Sequence, residues 1–286
     1  MFPKKSFSQN FLRDESVLRK IAEEVNPSDT ILEIGAGEGA LTEELGKRAR
    51  NVIALEFDRE LIPGLLRRFP LSSNVSIIEA DILHTDIPSL IDQKELPISP
   101  SSSSPSKISS ESRSKSEFRQ WSIFGNIPYG ITGKIIRLLV ALNPAPDKII
   151  LMVQKEVAER IVVKDGKQSL LSLSVALFGH AEILFTVSRN AFFPAPEVES
   201  AVIRITPSPG RLQNETRERI LRLAKIGFAS KRKTLANNFA THPEFSKETI
   251  ERILEHISKS KNARAEELSA EEWERLQRSI PTAHNP

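Results

Sequence analysis

Cysteine is absent from the 286 residues. That excludes a disulfide, a thiolate zinc site and a thiol nucleophile, and it fits a reducing compartment; a cytoplasmic location is the expectation. Histidine is scarce. The five present, His84, His180, His242, His256 and His284, show neither metal-ligand spacing nor a triad partner, so no metal is expected. No apolar run approaches the roughly 18 residues of a membrane helix. The opening Met1-Phe2-Pro3-Lys4-Lys5 lacks the apolar stretch of a signal peptide, so no membrane association is expected.

What is present is ordinary in amount and uneven in place. The chain is 39% hydrophobic and 27% charged, enough for a substantial core, and its length suits a large domain with a smaller one. Net charge is only +3, yet residues 211–286 hold 15 Lys/Arg against 11 Asp/Glu. Arg222, Lys225, Lys231, Arg232 and Lys233 follow one another with no acid between them. Such a run reads either as a contact for a phosphate backbone or as a solvated helix face. Charge alone leaves both open.

The hydrophobic pattern alternates between short strands and helices. Val17, Leu18, Ile21, Ala22 and Val25 keep a helical stripe that Asn26-Pro27 stops. Strand-like runs follow at 31–34, 52–55, 75–78, 123–124 and 149–153, with helical segments at 40–50 and 154–163. This alternation predicts an α/β fold with a parallel, doubly wound, Rossmann-like sheet. Late strands near 183–185 and 202–205 show no evident helix between them and are expected to close the sheet as an antiparallel pair. Pro207-Ser208-Pro209-Gly210 breaks both kinds of element. Beyond it, segments 216–228, 231–240, 247–257 and 269–280 read as helices. The division expected is therefore a catalytic domain at 1–206 and a small all-α domain at 211–286. From Ser99 to Ser116, eleven of eighteen residues are serine, so the stretch at about 92–118 is expected to be a flexible insert.

Three strand ends carry polar groups suited to one nucleoside. Gly35-x-Gly37-x-Gly39 joins a strand to a helix and lets backbone approach a ligand. Glu56, closing the next strand, can accept from both hydroxyls of a ribose, and Asp81, closing the third, can accept from an adenine amine. Glu33, just before the glycines, suits a pocket in which a carboxylate organises the amino-acid end of S-adenosylmethionine. The spacing departs from the Gly-x-Gly-x-x-Gly dinucleotide fingerprint, which leaves an NAD-dependent dehydrogenase as a distant alternative. The plainer reading of Glu56 and Asp81 is that they cap helices. Asn126-Ile127-Pro128-Tyr129 ends the strand beginning at Trp121 and offers an amide acceptor, a carbonyl before proline and an aromatic face. That set fits a planar exocyclic amine whose N–H groups must be held while its ring is stacked. It also fits a turn.

Several separated stretches together resemble one family, the KsgA-type small-subunit rRNA adenine N6,N6-dimethyltransferases. They are Ser8-Gln9-Asn10-Phe11-Leu12, Glu33-Ile34-Gly35-Ala36-Gly37, Leu55-Glu56-Phe57-Asp58, Phe124 to Tyr129, Gln154 to Val157, Phe192 to Val202 and Phe228 to Thr234. The resemblance implies a class I methyltransferase fold with a helical C-terminal domain. It implies methyl transfer from S-adenosylmethionine to N6 of two adjacent adenosines near the 3′ end of 16S rRNA, by a monomer. Asn10 and Leu12 would then cover the cofactor, Gly35 and Gly37 line its amino-acid end, Glu56 hold its ribose and Asp81 its adenine. Asn126 would contact both the cofactor and the target amine, with the Ile127 carbonyl as second acceptor beside Pro128, and Tyr129 and Phe192 would sandwich the flipped base. The five cations named above would hold rRNA phosphates. Ser8, Gly130 and Gly133 depart from the family's usual residues, and the serine-rich insert is longer than its norm. The rivals are an Erm-type methyltransferase acting on 23S rRNA and a ribosome-assembly factor for which methylation is secondary.

Overall fold

A computed structural model describes residues 10–71, 73–92, 120–163, 166–210 and 212–280. The serine-rich insert, Asp92 apart, lies outside them, as does Ser8-Gln9. In chain order the elements are β1 (Phe11–Leu12), α1 (Glu15–Ala22), β2 (Thr30–Ile34), α2 (Ala40–Gly46), β3 (Asn51–Glu56), α3 (Ile62–Arg68), β4 (Val75–Glu79) and α4 (Ile87–Asp92). Next come β5 (Trp121–Asn126), α5 (Thr132–Val140), β6 (Lys148–Gln154), α6 (Lys155–Ile161), α7 (Leu170–Phe178), β7 (Gly179–Val187), β8 (Phe192–Phe193) and β9 (Ser200–Pro207). Four helices end the chain: α8 (Asn214–Gly227), α9 (Leu235–Phe239), α10 (Lys247–His256) and α11 (Ala270–Ser279).

Seven strands form one sheet in the order β4-β3-β2-β5-β6-β9-β7. Neighbours from β4 to β6 run parallel, and β9 runs antiparallel to both β6 and β7. The expected antiparallel closure is there, with the later strand threaded inside the earlier one. The strand order reverses between β2 and β5, the position where open α/β sheets bind ligands at their carboxyl edge. Apolar side chains cover both faces of this sheet. Ile31, Val52, Ala54 and Phe124 pack under α1 and α2, while Leu32, Ile34, Ile53 and Ile123 pack under α5. The central strands are buried on both sides and so read as apolar runs rather than as alternating ones.

The C-terminal helices have a core of their own, built on Trp273, Phe239, Ile220 and Leu254, all fully buried. That core also takes in Leu173 and Leu177 of α7, a helix that precedes the Pro207–Gly210 break. Arg217 of α8, 4% exposed, donates to the Val140 carbonyl at 2.6 Å, where α5 ends, and lies over the Phe178 ring. Side chains from both halves thus meet across the expected boundary.

The segment expected as a helix from residue 231 begins later, at Leu235. Lys231, Arg232 and Lys233 instead form a turn between α8 and α9. Two devices shape it. Thr234 caps α9 through its side chain, which accepts from the Asn237 N–H. Buried Asn238 donates to the carbonyls of Gly227 (2.6 Å) and Ser230 (3.0 Å). All three cations of the turn, and Arg222 and Lys225 on α8, are exposed.

Candidate active site

Ten of the residues singled out from the sequence line one cavity of about 440 Å³ at the carboxyl edge of the sheet. Asn10 and Leu12 come from the N-terminal arm, Gly35 and Gly37 from the glycine loop, Glu56 and Asp81 from the ends of β3 and β4, and Asn126 to Tyr129 from the end of β5. A volume of this size is typical of a small-molecule site.

Glu56 organises one side of the cavity. It is 6% exposed, and its carboxylate accepts from the Gly37 N–H (2.7 Å) and the Asp58 N–H (2.8 Å). Gly37 adopts φ +59°, and a Cβ there would stand 3.3 Å from the Phe11 ring, so the absent side chain lets the N-terminal arm lie on the loop. The Gly35 and Ala36 N–H groups both donate to the Leu55 carbonyl, and the Gly39 N–H to Ala36. A pyrophosphate loop points such groups at its ligand. Here they are engaged within the protein, which argues against the dinucleotide reading. Asp81 accepts from the Leu83 N–H and faces the His84 ring, each at 2.9 Å. The Leu83 bond first, then the His84 side chain, hold its carboxyl below the usual carboxylate range.

On the opposite side, Asn126 donates its amide N–H to the Asn10 carbonyl at 3.1 Å. That bond turns the amide oxygen into an available acceptor at the cavity edge. Tyr129 begins a short 3-10 turn, and its hydroxyl lies 2.6 Å from Ser200 Oγ. That bond fixes the plane of the ring, and burial pushes its hydroxyl pKa up. Arg13 pairs with Glu38 at 2.5 Å, and the N–H groups of Arg13 and Asp14 both donate to the Ala191 carbonyl. β1 also pairs with β8, Leu12 opposite Phe192 and Phe11 opposite Phe193. One two-stranded ribbon therefore spans from the glycine loop to the segment after β7.

Two residues singled out for the catalytic or cofactor site stand outside the cavity lining. Phe192, 5% exposed, packs into the core with Leu12. Glu33 shares the Ile31 face of β2 by strand alternation, is 1% exposed, and has no hydrogen-bond partner of good geometry for either oxygen. Burial pushes its carboxyl up to about 7, the Thr42 hydroxyl beside it offsets part of this, and the charge of Glu56 adds to it. Across the window from the ordinary carboxylate value to about 7 the folded state holds a proton that the unfolded chain releases. Stability therefore falls as pH rises through that window and levels off above it. We expect Glu33→Gln to melt above the parent at about pH 8, with the gap closing toward about pH 5. Melting curves across pH check this; a gap independent of pH would count against it.

Among the cavity residues to which sequence reasoning gave no role is Phe57, which is 56% exposed beside Glu56. The signal was there, an aromatic directly after a strand-terminal acid.

A reversed-order sheet with its single antiparallel strand, a carboxylate at the end of β3 and an amide at the end of β5 define a class I S-adenosylmethionine-dependent methyltransferase. Two solved structures agree over nearly the whole chain. A 23S rRNA methyltransferase, ErmE, matches with TM-score 0.66 and 26% identity over 95% of this chain and 99% of that one. A dimethyladenosine transferase from Plasmodium falciparum matches with TM-score 0.70 and 26% identity over 93% and 95%. The model of the ribosomal RNA adenine dimethylase family matches residues 3–280, and the chain belongs to that family. Proteins named ribosomal RNA small subunit methyltransferase A are 36% identical in Dehalococcoides mccartyi (strain CBDB1), over 99% of this chain and 89% of theirs, and 37% identical in Levilactobacillus brevis, over 93% and 86%.

Proposed function

We propose that this enzyme dimethylates N6 of two adjacent adenosines near the 3′ end of small-subunit rRNA, with S-adenosylmethionine as methyl donor. The observation that carries the chemistry is the Asn126 amide, tied by its donor to Asn10 and left as an acceptor at the cavity edge. The near full-length relatives named for the small subunit support the choice of substrate.

The cavity suits the methyl donor. Glu56 is already held as an acceptor by two backbone N–H groups and would take the ribose hydroxyls, with Phe57 and Asp81 against the adenine. The donor supplies a methyl on a cationic sulfur, so no covalent nucleophile is needed from the protein. The protein's part is to hold the adenine amine. Asn126 Oδ1 and the Ile127 carbonyl accept its N–H groups and draw the nitrogen lone pair out of the ring, and Tyr129 stacks the base. N6 then attacks the methyl carbon as the carbon–sulfur bond breaks, the electron pair leaves on sulfur, and the amine's proton passes to water. The amide contacts strengthen as charge develops on nitrogen.

The Lys231-Arg232-Lys233 turn, with Arg222 and Lys225, would hold the RNA backbone, because none of the five makes an ion pair among the described residues. Reversing the three turn charges should weaken RNA binding and reduce the slope of log affinity against log salt by about 1 per lost phosphate contact. Filter binding across salt reads both quantities. Unchanged RNA affinity would make the turn a solvated face. Labelled S-adenosylmethionine incubated with unmethylated small and large subunits, followed by nucleoside mapping, tests the whole assignment. N6,N6-dimethyladenosine confined to large-subunit rRNA would replace it with the Erm-type reading.

A further inference from the structure

Among the described residues two phenylalanines are exposed, Phe57 at 56% and Phe193 at 58%. Phe57 lines the cavity and Phe193 does not. The β1–β8 ribbon explains where the second ring stands. Successive strand residues alternate faces, so Leu12 and Phe192, opposite each other, turn into the core. Phe11 and Phe193, the other pair, share the remaining face. The Phe11 ring lies against Gly37 at the cavity roof. Directly opposed strand side chains stand about 4.5–5.5 Å apart at Cβ, which brings Phe193 beside that roof with its ring in solvent.

The surroundings select what can meet this ring. From Asn190 to Ser200 there is no cation, and two carboxylates, Glu197 and Glu199, follow the exposed Pro194 and Ala195. Lys155, which faces the segment, is paired with Glu199 at 2.8 Å. The residues directly after the ring, Pro194 and Ala195, offer a phosphate group no cation. The face of a nucleobase would meet apolar surface and an aromatic ring.

We propose that Phe193 is a stacking platform for the nucleobase adjacent to the target adenine on the same RNA strand. The inference rests on the functional reading above and adds a second base subsite to it. A base that enters the cavity leaves its stack, so its neighbour arrives at the rim with one face uncovered. Phe193 covers that face. It stands outside the cavity, so the base it serves is the flanking one and not the one whose amine reaches Asn126.

The test uses the full chain and a hairpin from the 3′ end of small-subunit rRNA with 2-aminopurine replacing a nucleotide on either side of the target. The wild type should quench the probe at one flanking position. Phe193→Trp should keep the quenching, and Phe193→Ala and Phe193→Leu should lose it. In the alanine variant KM for unmethylated small subunits should rise on the order of 10-fold, with kcat, cofactor Kd and melting temperature unchanged. Equal quenching by wild type and the alanine variant, or a leucine variant indistinguishable from wild type, overturns the proposal. Failure of the wild type to methylate small subunits overturns the functional reading instead, and the quenching is read by binding alone.

Discussion

Replacing Asn126 with alanine is expected to lower kcat on the order of 10²- to 10³-fold while leaving cofactor affinity essentially unchanged. The amine of adenine is a weak nucleophile because its lone pair belongs to the ring, and in the proposed reaction the amide is one of the acceptors that would undo this. The side chain also ties β5 to the N-terminal arm through the Asn10 carbonyl. Alanine removes both the acceptor and the tie. Asn126→Asp keeps an acceptor but has no N–H for Asn10 and faces a carbonyl with a negative charge, so it should fall between the two. Single-turnover rates with saturating RNA, set beside calorimetric cofactor binding, separate the contributions. Wild-type turnover in the alanine variant would remove Asn126 from the chemistry.

Glu56→Ala is expected to weaken cofactor binding by about 2–4 kcal/mol, roughly 30- to 1000-fold in Kd. Two losses add. The ribose hydroxyls lose a charged acceptor, and the Gly37 and Asp58 N–H groups lose the partner that shapes the loop. Glu56→Gln should be nearly as damaging. Its amide would turn a donor toward a backbone N–H that also donates, leaving one of them unsatisfied. Calorimetry with S-adenosylmethionine and its demethylated product would show this, and a Kd within the wild-type range for either variant would end the ribose assignment.

Much of this arrangement could be read from residue patterns, and the misses have physical causes. Glu56 and Asn126 were legible because each ends an apolar run that the sheet buries, and strand ends are where such folds place ligands. α7 was not. Its sequence Leu-Leu-Ser-Leu-Ser-Val-Ala-Leu-Phe is apolar on nearly every side because it lies between two cores, so no amphipathic stripe marks it. The Lys231–Lys233 turn was read as helix because lysine and arginine are good helix formers. Thr234, a better cap than an interior residue, carried the contrary signal. Glu33 was legible as unusual but not as buried beneath α2, since strand parity depends on which face the glycine loop leaves exposed.

The helical half of this enzyme is not a portable part. A graft made at the Pro207–Gly210 break would look clean on paper, and it would strand Leu173 and Leu177 without the core they complete. It would also ask a foreign helix to supply the Arg217 contact to the end of α5, the helix that starts three residues after Tyr129. Exchange of this half between relatives must therefore carry α7 and the end of α5 with it. The two halves change together or not at all.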